Sequence, residues 1–131
     1  VICGGGGGVP VARQEGRIDG FDAVIDKDLL ANVLAQRLDA DNLLILTDVD
    51  GIYRDYGTED EEFIDEITVD ELRELQERGV FPEGSMGPKV DAACRFVEAE
   101  SSRDRRAIVT SLDNALDALE ADAGTHVVDG E

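Results

Sequence analysis

Lysine is almost missing from this chain. Twelve residues are basic, but only Lys27 and Lys89 are lysines, against 31 acidic side chains. With so few lysines, neither one can be dismissed as anonymous surface charge. Aromatic residues make up 5% and tryptophan is absent, so a core must be assembled from Val, Ile, Leu and Ala. Two cysteines, Cys3 and Cys94, are too few for the disulfide framework of a small secreted domain. Cys94 falls on an apolar helical stripe and reads as a small core residue. No apolar run approaches the roughly 20 residues of a membrane span, and no signal-peptide pattern is present. His126 is the sole histidine and is expected at the surface. The spacing offers no Ser/His/Asp triad, zinc site or pair of glycosidase carboxylates.

Positive charge is short overall, and the net charge is −19. Such a surface repels nucleic acid and anionic membranes, so neither is an expected partner. The acids are spread along the chain, apart from a local run at Glu59-Asp60-Glu61-Glu62. Spread acid with scarce lysine suggests salt adaptation, with an ordinary acidic cytosolic protein as the alternative. An anionic substrate would need local cations to offset this field.

The 131 residues, 42% hydrophobic, suit one domain with a real core. Val1-Ile2-Cys3 and Ala23-Val24-Ile25 read as short strands, with a surface loop over 12–20 between them. Leu29, Leu30, Val33, Leu34 and Leu38 predict an amphipathic helix over about 28–38. Leu43-Leu44-Ile45-Leu46 shows no alternation and reads as a strand buried on both faces. Thr68 and Glu71 have capping-box spacing, and Ile67 with Leu72 has hydrophobic-staple spacing, so a helix starts there and ends near Gly79. Pro88 fits the first turn of a further helix with Val90, Ala93, Cys94 and Val97 on its apolar face. Ala107-Ile108-Val109 is another strand. Ser111 can cap a last helix with Leu112, Ala115, Leu116 and Leu119 turned inward, before a short strand at 125–128. Strands alternating with helices predict an α/β fold with a mostly parallel sheet flanked by helices.

Four stretches could carry chemistry. Gly4 to Gly8 could turn several backbone N–H groups toward one anion, or be a flexible turn; no P-loop lysine follows and no helix clearly begins after it. Asp26-Lys27-Asp28 opens a helix. It reads either as a surface ion pair or as a lysine offered to phosphate, with Asp28 holding lysine side chains in place. Thr47-Asp48-Val49-Asp50-Gly51-Ile52-Tyr53 follows the best strand, where open α/β sheets bind ligands. It lacks the spacing and terminal Glu of an EF-hand. Tyr53 could equally be a core-rim residue. Gly84-Ser85-Met86-Gly87-Pro88-Lys89 places a lysine in a helix's first turn, against the helix dipole. Either the loop points Lys89 into solvent, or the site wants that charge.

In order, these stretches resemble carbamate kinase, within the amino acid kinase superfamily. Val1 to Val11 resembles its polyglycine segment, Ala23 to Asp28 its central catalytic motif, Leu44 to Asp50 its nucleotide-side strand, and Gly84 to Val90 its second lysine motif. The third motif, and Pro88-Lys89-Val90, are shared with acetylglutamate kinases and place only the superfamily. The resemblance implies an amino acid kinase-like fold and reversible phosphoryl transfer between ATP and carbamate with Mg²⁺. In arginine fermentation, carbamoyl phosphate and ADP would give ATP. By the same resemblance, Lys27 and Lys89 neutralise the transferring phosphoryl group and Asp28 organises them. Thr47, Asp48, Tyr53, Met86, Gly87 and Pro88 line the nucleotide pocket. Gly5, Gly6 and Gly7 lie near the transferring phosphate, and no side chain is assigned to a metal. A homodimer and a cytoplasmic location are implied too. Members of that family are much longer than this chain. Residues 1–131 are therefore expected to be the carboxyl-terminal nucleotide-binding lobe, inactive or nearly so without the amino-terminal acceptor lobe. Another superfamily kinase, or a non-catalytic nucleotide-binding module, are the competing expectations.

Overall fold

The computed structural model describes residues 1–101, 104–120 and 122–130. Its centre is a four-stranded sheet built from β3 (Asn42–Thr47), β6 (Glu66–Thr68), β7 (Arg106–Ser111) and β8 (Thr125–Val128), in the order β3-β7-β8-β6. β3 runs parallel to β7 and β6 parallel to β8, while β7 and β8 are antiparallel. The sheet is thus mixed and mostly parallel, as the alternation of elements predicts. Leu43, Ile45, Ala107, Ile108, Val109 and Val127 are buried in it.

Helices pack on this sheet. α1 is Lys27–Arg37, α2 Val69–Glu77 and α3 Met86–Val97. α3 packs on β3, β7 and β8 and touches both α1 and α2. Its Val90, Ala93, Cys94 and Phe96 are fully buried. The core is aliphatic and alanine-rich as composition requires, with Phe96 its largest fully buried side chain. α2 begins as expected. Thr68 and Glu71 form the reciprocal capping box, and Ile67 and Leu72 are buried beside it. It ends before Gly79, whose φ of 72° is readily adopted by glycine.

Several local expectations fail. Val1-Ile2-Cys3 and Ala23-Val24-Ile25 form no strand: both are exposed and have no ladder partner among the described residues. The segment read as a loop is instead a hairpin, β1 (Val11–Gln14) and β2 (Arg17–Gly20). Its turn residues Glu15 and Gly16 both have positive φ, at 48° and 80°, as the tight turns that suit a twisted hairpin require. A second hairpin, β4 (Ile52–Arg54) with β5 (Glu62–Ile64), follows β3. α1 buries Asp28, Asn32 and Ala35 rather than a leucine face; Val33 and Leu38 are exposed. It packs on α3, with a bond from Gln36 Nε2 to the Arg95 carbonyl, and its Leu29 and Ala31 sit partly buried against the core. The last helix, α4 (Ala115–Leu119), is one short turn after Asn114, not a Ser111-capped helix. It buries Ala118 and leaves Leu112, Leu116 and Leu119 exposed. His126 is buried, not on the surface, because β8 lies inside the sheet. Among the described residues, no helix is long and apolar enough to cross a membrane.

Candidate functional site

The amino-terminal ends of α1 and α3 converge. Asp26 caps α1, its Oδ1 accepting from the backbone N–H groups of Asp28 and Leu29 at 2.7 and 3.4 Å. That cap fixes the first turn, which carries Lys27 and Asp28. Gly87 and Pro88 shape the start of α3. The Gly87 N–H donates to the Pro82 carbonyl at 3.0 Å, and a Cβ on Gly87 would press on that oxygen at 3.1 Å. Lys89 follows one residue later and turns toward α1. Its Nζ lies 3.0 Å from Asp28 Oδ2, and Lys27 Nζ lies 3.4 Å from the same oxygen. The Lys89 and Asp28 side chains are each 12% exposed, and that of Lys27 is 57%. One carboxylate oxygen therefore gathers two ammonium groups beside two helix N-termini. Each N-terminus adds partial positive charge, and the whole favours an anion.

Lys89 also borders a cleft of about 400 Å³, within the usual range for small-molecule sites. One wall comes from the loop after β3, with Thr47, Asp48, Val49 and Gly51, and continues through Tyr53 and Tyr56. The other is the connection between α2 and α3, from Val80 through Pro82 to Met86. Thr47 Oγ1 donates to Asp48 Oδ1 at 3.1 Å. Tyr53 meets Phe63 edge-on at 5.1 Å between centroids and Tyr56 at 5.5 Å. Burial, then the Asp50 and Glu61 carboxylates, push the Tyr53 phenol above its ordinary value, so it remains a neutral donor.

The expected site residues are thus partly gathered. Thr47, Asp48, Tyr53, Met86 and Lys89 share the cleft. Gly87 and Pro88 lie behind it, bordering a groove with Asp26 and Leu29, and act by shaping the α3 turn. Lys27 and Asp28 join through Lys89. The glycine run lies against the approach to α1. A Cβ on Gly7 would collide with the Ile25 carbonyl oxygen, and one on Gly4 would touch Leu30 at 3.4 Å. Gly5 and Gly6 face open space. Tyr56, Val80, Phe81 and Pro82 were not anticipated. A tyrosine three residues after Tyr53, and a Phe-Pro pair ahead of the glycine loop, were the available signals.

A nucleotide fits this arrangement: apolar walls and two tyrosines suit a base, and the lysine end suits phosphates. A magnesium ion fits only as one brought by the nucleotide. The described residues hold no group of three or more candidate metal ligands, whereas Mg²⁺ commonly binds through one or two carboxylates plus substrate phosphates. Asp48 is the carboxylate in the cleft lining.

The profile of the amino acid kinase family matches residues 1–111. The carbamate kinase of Thermococcus kodakarensis is 51% identical over 128 residues, covering 98% of this chain and 40% of that protein. That of Halobacterium salinarum is 49% identical, covering 98% and 41%. Among solved structures, carbamate kinase from Giardia lamblia bound to AMP-PNP superposes with a TM-score of 0.89 at 44% identity, over 95% of this chain and 43% of that one. The chain spans about two fifths of the length of the curated relatives it matches.

Proposed function

The chain belongs to the amino acid kinase family, and from that premise we propose that it forms the nucleotide-binding lobe of a carbamate kinase. The reaction is reversible phosphoryl transfer between ATP and carbamate. An acceptor-binding lobe outside these residues completes the site, and residues 1–131 alone are inactive or nearly so. One observation carries this reading. Lys89 both borders the cleft and shares Asp28 Oδ2 with Lys27, so the nucleotide's phosphate end and the paired ammonium groups meet at one place. The relatives near 50% identity, carbamate kinases among them, support this acceptor.

In the ATP-forming direction, a β-phosphate oxygen of ADP attacks the phosphorus of carbamoyl phosphate. The P–O bond to the carbamoyl group breaks, and carbamate leaves with that electron pair. Charge gathers on the phosphoryl oxygens, and fixed ammonium groups stabilise it without reorganising. Lys89, held by Asp28 and mostly buried, supplies the preorganised charge. Lys27, more exposed, is free to follow the phosphoryl group. Gly5 and Gly6 let backbone N–H groups approach it. Thr47, Asp48, Tyr53 and Met86 hold the nucleoside end. Mg²⁺ arriving on the nucleotide neutralises phosphate charge. A homodimer working in the cytoplasm completes the proposal.

The test is ATP formation from carbamoyl phosphate and ADP by the protein that carries this chain. Lys89→Ala is expected to lower kcat by about 10²–10³-fold, the scale of losing one preorganised charge donor, with circular dichroism unchanged. If Lys27→Ala and Lys89→Ala both kept full turnover, the two-lysine mechanism would be wrong.

A further inference from the structure

The nucleotide cleft proposed above owes its tyrosine wall to a hairpin that sits outside the central sheet. β4 and β5 pair only with each other among the described residues. Two strands alone are marginal in water, so something must hold the base of the hairpin. The base is the facing pair Ile52 and Ile64, 0% and 3% exposed. There the Ile52 N–H donates to Thr125 Oγ1 at 2.7 Å, and Thr125 Oγ1 donates to the Ile64 carbonyl at 2.5 Å. Thr125 is fully buried at the start of β8, inside the sheet. One hydroxyl thus closes both strands of the hairpin onto the sheet, donating to one strand and accepting from the other.

The approach is close because Gly51 carries no side chain. A Cβ there would lie 2.6 Å from Thr125 Oγ1 and 2.7 Å from the Phe63 ring. Phe63 in turn supports Tyr53, and Gly51 itself borders the cleft. The linkage runs from a buried hydroxyl to a glycine, a phenylalanine and the cleft tyrosine. Without the hydroxyl, a buried N–H and a buried C=O would be stranded, which folded proteins avoid. The hairpin would shift to reach water, taking Tyr53 and Tyr56 with it. Lys89, on α3, would stay where it is.

We propose that Thr125 is a positioning residue for the nucleotide: its hydroxyl sets the tyrosine wall of the cleft from behind, without touching the ligand. This rests on the reading of the cleft as a nucleotide site. The expected signature is selective. Thr125→Val keeps the shape and removes the hydroxyl. It should raise the KM for ADP about tenfold, the equivalent of one net hydrogen bond to a buried group. The kcat should stay within about twofold, since uniform binding is lost and not transition-state contacts. Thr125→Ser restores the hydroxyl and should return KM toward the wild-type value.

The experiment measures KM and kcat for ADP, with calorimetric ADP binding, in the protein that carries this chain. If the unaltered protein neither binds ADP nor forms ATP, the functional reading fails and not this one. If it does both, an unchanged KM in Thr125→Val, or a loss of kcat with KM constant, overturns the positioning role. Failure of Thr125→Ser to rescue does so too. Hydrogen exchange of the unaltered protein gives an answer independent of either variant. The Ile52 amide should exchange far more slowly than those of 55–61, and exchange as fast as theirs would overturn the proposal.

Discussion

Asp28 does more than its size suggests. It is buried in the first turn of α1, accepts both lysine ammonium groups on Oδ2, and donates its own N–H to the Asp26 cap. Removing its charge would leave Lys89 buried with no anionic partner among the described residues, which costs more than losing a surface pair. Asp28→Asn is therefore expected to destabilise the fold by about 1–3 kcal/mol in urea titration. Its kcat should fall further than an equal loss of stability elsewhere would cause, because Lys89 is then free to swing out of place. Normal kcat in a destabilised Asp28→Asn protein would reduce Asp28 to a structural ion pair. This carboxylate and both lysines were legible in the sequence because each lies inside a short motif at a helix start, where local rules hold. Thr125 was not legible. Its partners Ile52 and Ile64 lie 73 and 61 residues away, and nothing in Gly-Thr-His-Val announces them. Cys94 was legible too: burial pushes its thiol up to about 11, which leaves it the inert core residue that its helical spacing implies.

At the scale of elements, α2 is joined to α3 by one arginine. Arg73 on α2 donates from Nε and Nη2 to both Glu98 oxygens at 2.9 Å and from Nη1 to Asp91 at 2.9 Å. Asp91 also receives Arg95 at 2.9 Å, one turn along α3. The Arg73 bond holds the Glu98 carboxyl below its ordinary range, burial opposing it. Burial works to raise the Asp91 carboxyl, but its bonds to Arg95 and Arg73 prevail and lower it. Both carboxylates therefore titrate lower in the folded state than unfolded. Their stabilisation is complete above the ordinary values of 4.5 and 3.8 and is lost as pH falls through the lower folded values. Arg73→Ala should cost about 1–2 kcal/mol near neutral pH, modest because Glu98 is partly exposed. It should also flatten the acid limb of a plot of melting temperature against pH; an acid limb of unchanged slope would contradict this. The elements bearing this clasp were readable, since α2 has a capping box and α3 a proline-glycine start with an aliphatic stripe. The two hairpins and β6 were not. Their strands are only three or four residues long, too short for alternation to register. α1 misled in another way. Its leucines suggested a buried apolar face, yet its buried positions are Asp28, Asn32 and Ala35, and Leu29 and Ala31 are only partly buried against the core, because the helix start also serves the lysine site.

Over the whole molecule, like charges dominate. A net charge of −19 on 131 residues makes the compact state repel itself, since folding brings carboxylates closer than an open chain does. The arginine clasps offset part of this locally, but twelve cations cannot pair 31 acids. Salt acts on both contributions in opposite directions. It weakens the Arg73 and Arg95 pairs, and it screens the repulsion among the unpaired acids over a distance that shrinks from about 10 Å at 0.1 M to about 3 Å at 1 M. Repulsive pairs outnumber attractive ones and act over longer separations, so the repulsion loses more. The melting temperature should therefore rise from about 0.1 M to about 1 M KCl, and rise more steeply in Arg73→Ala, which has lost the attractive pairs that salt would weaken. Osmotically matched sucrose separates screening from general exclusion, because it stabilises without altering the Debye length. A melting temperature flat in KCl, or one that sucrose raises equally, would mean that the acidic surface is tolerated at low salt and that the composition is no adaptation to salt.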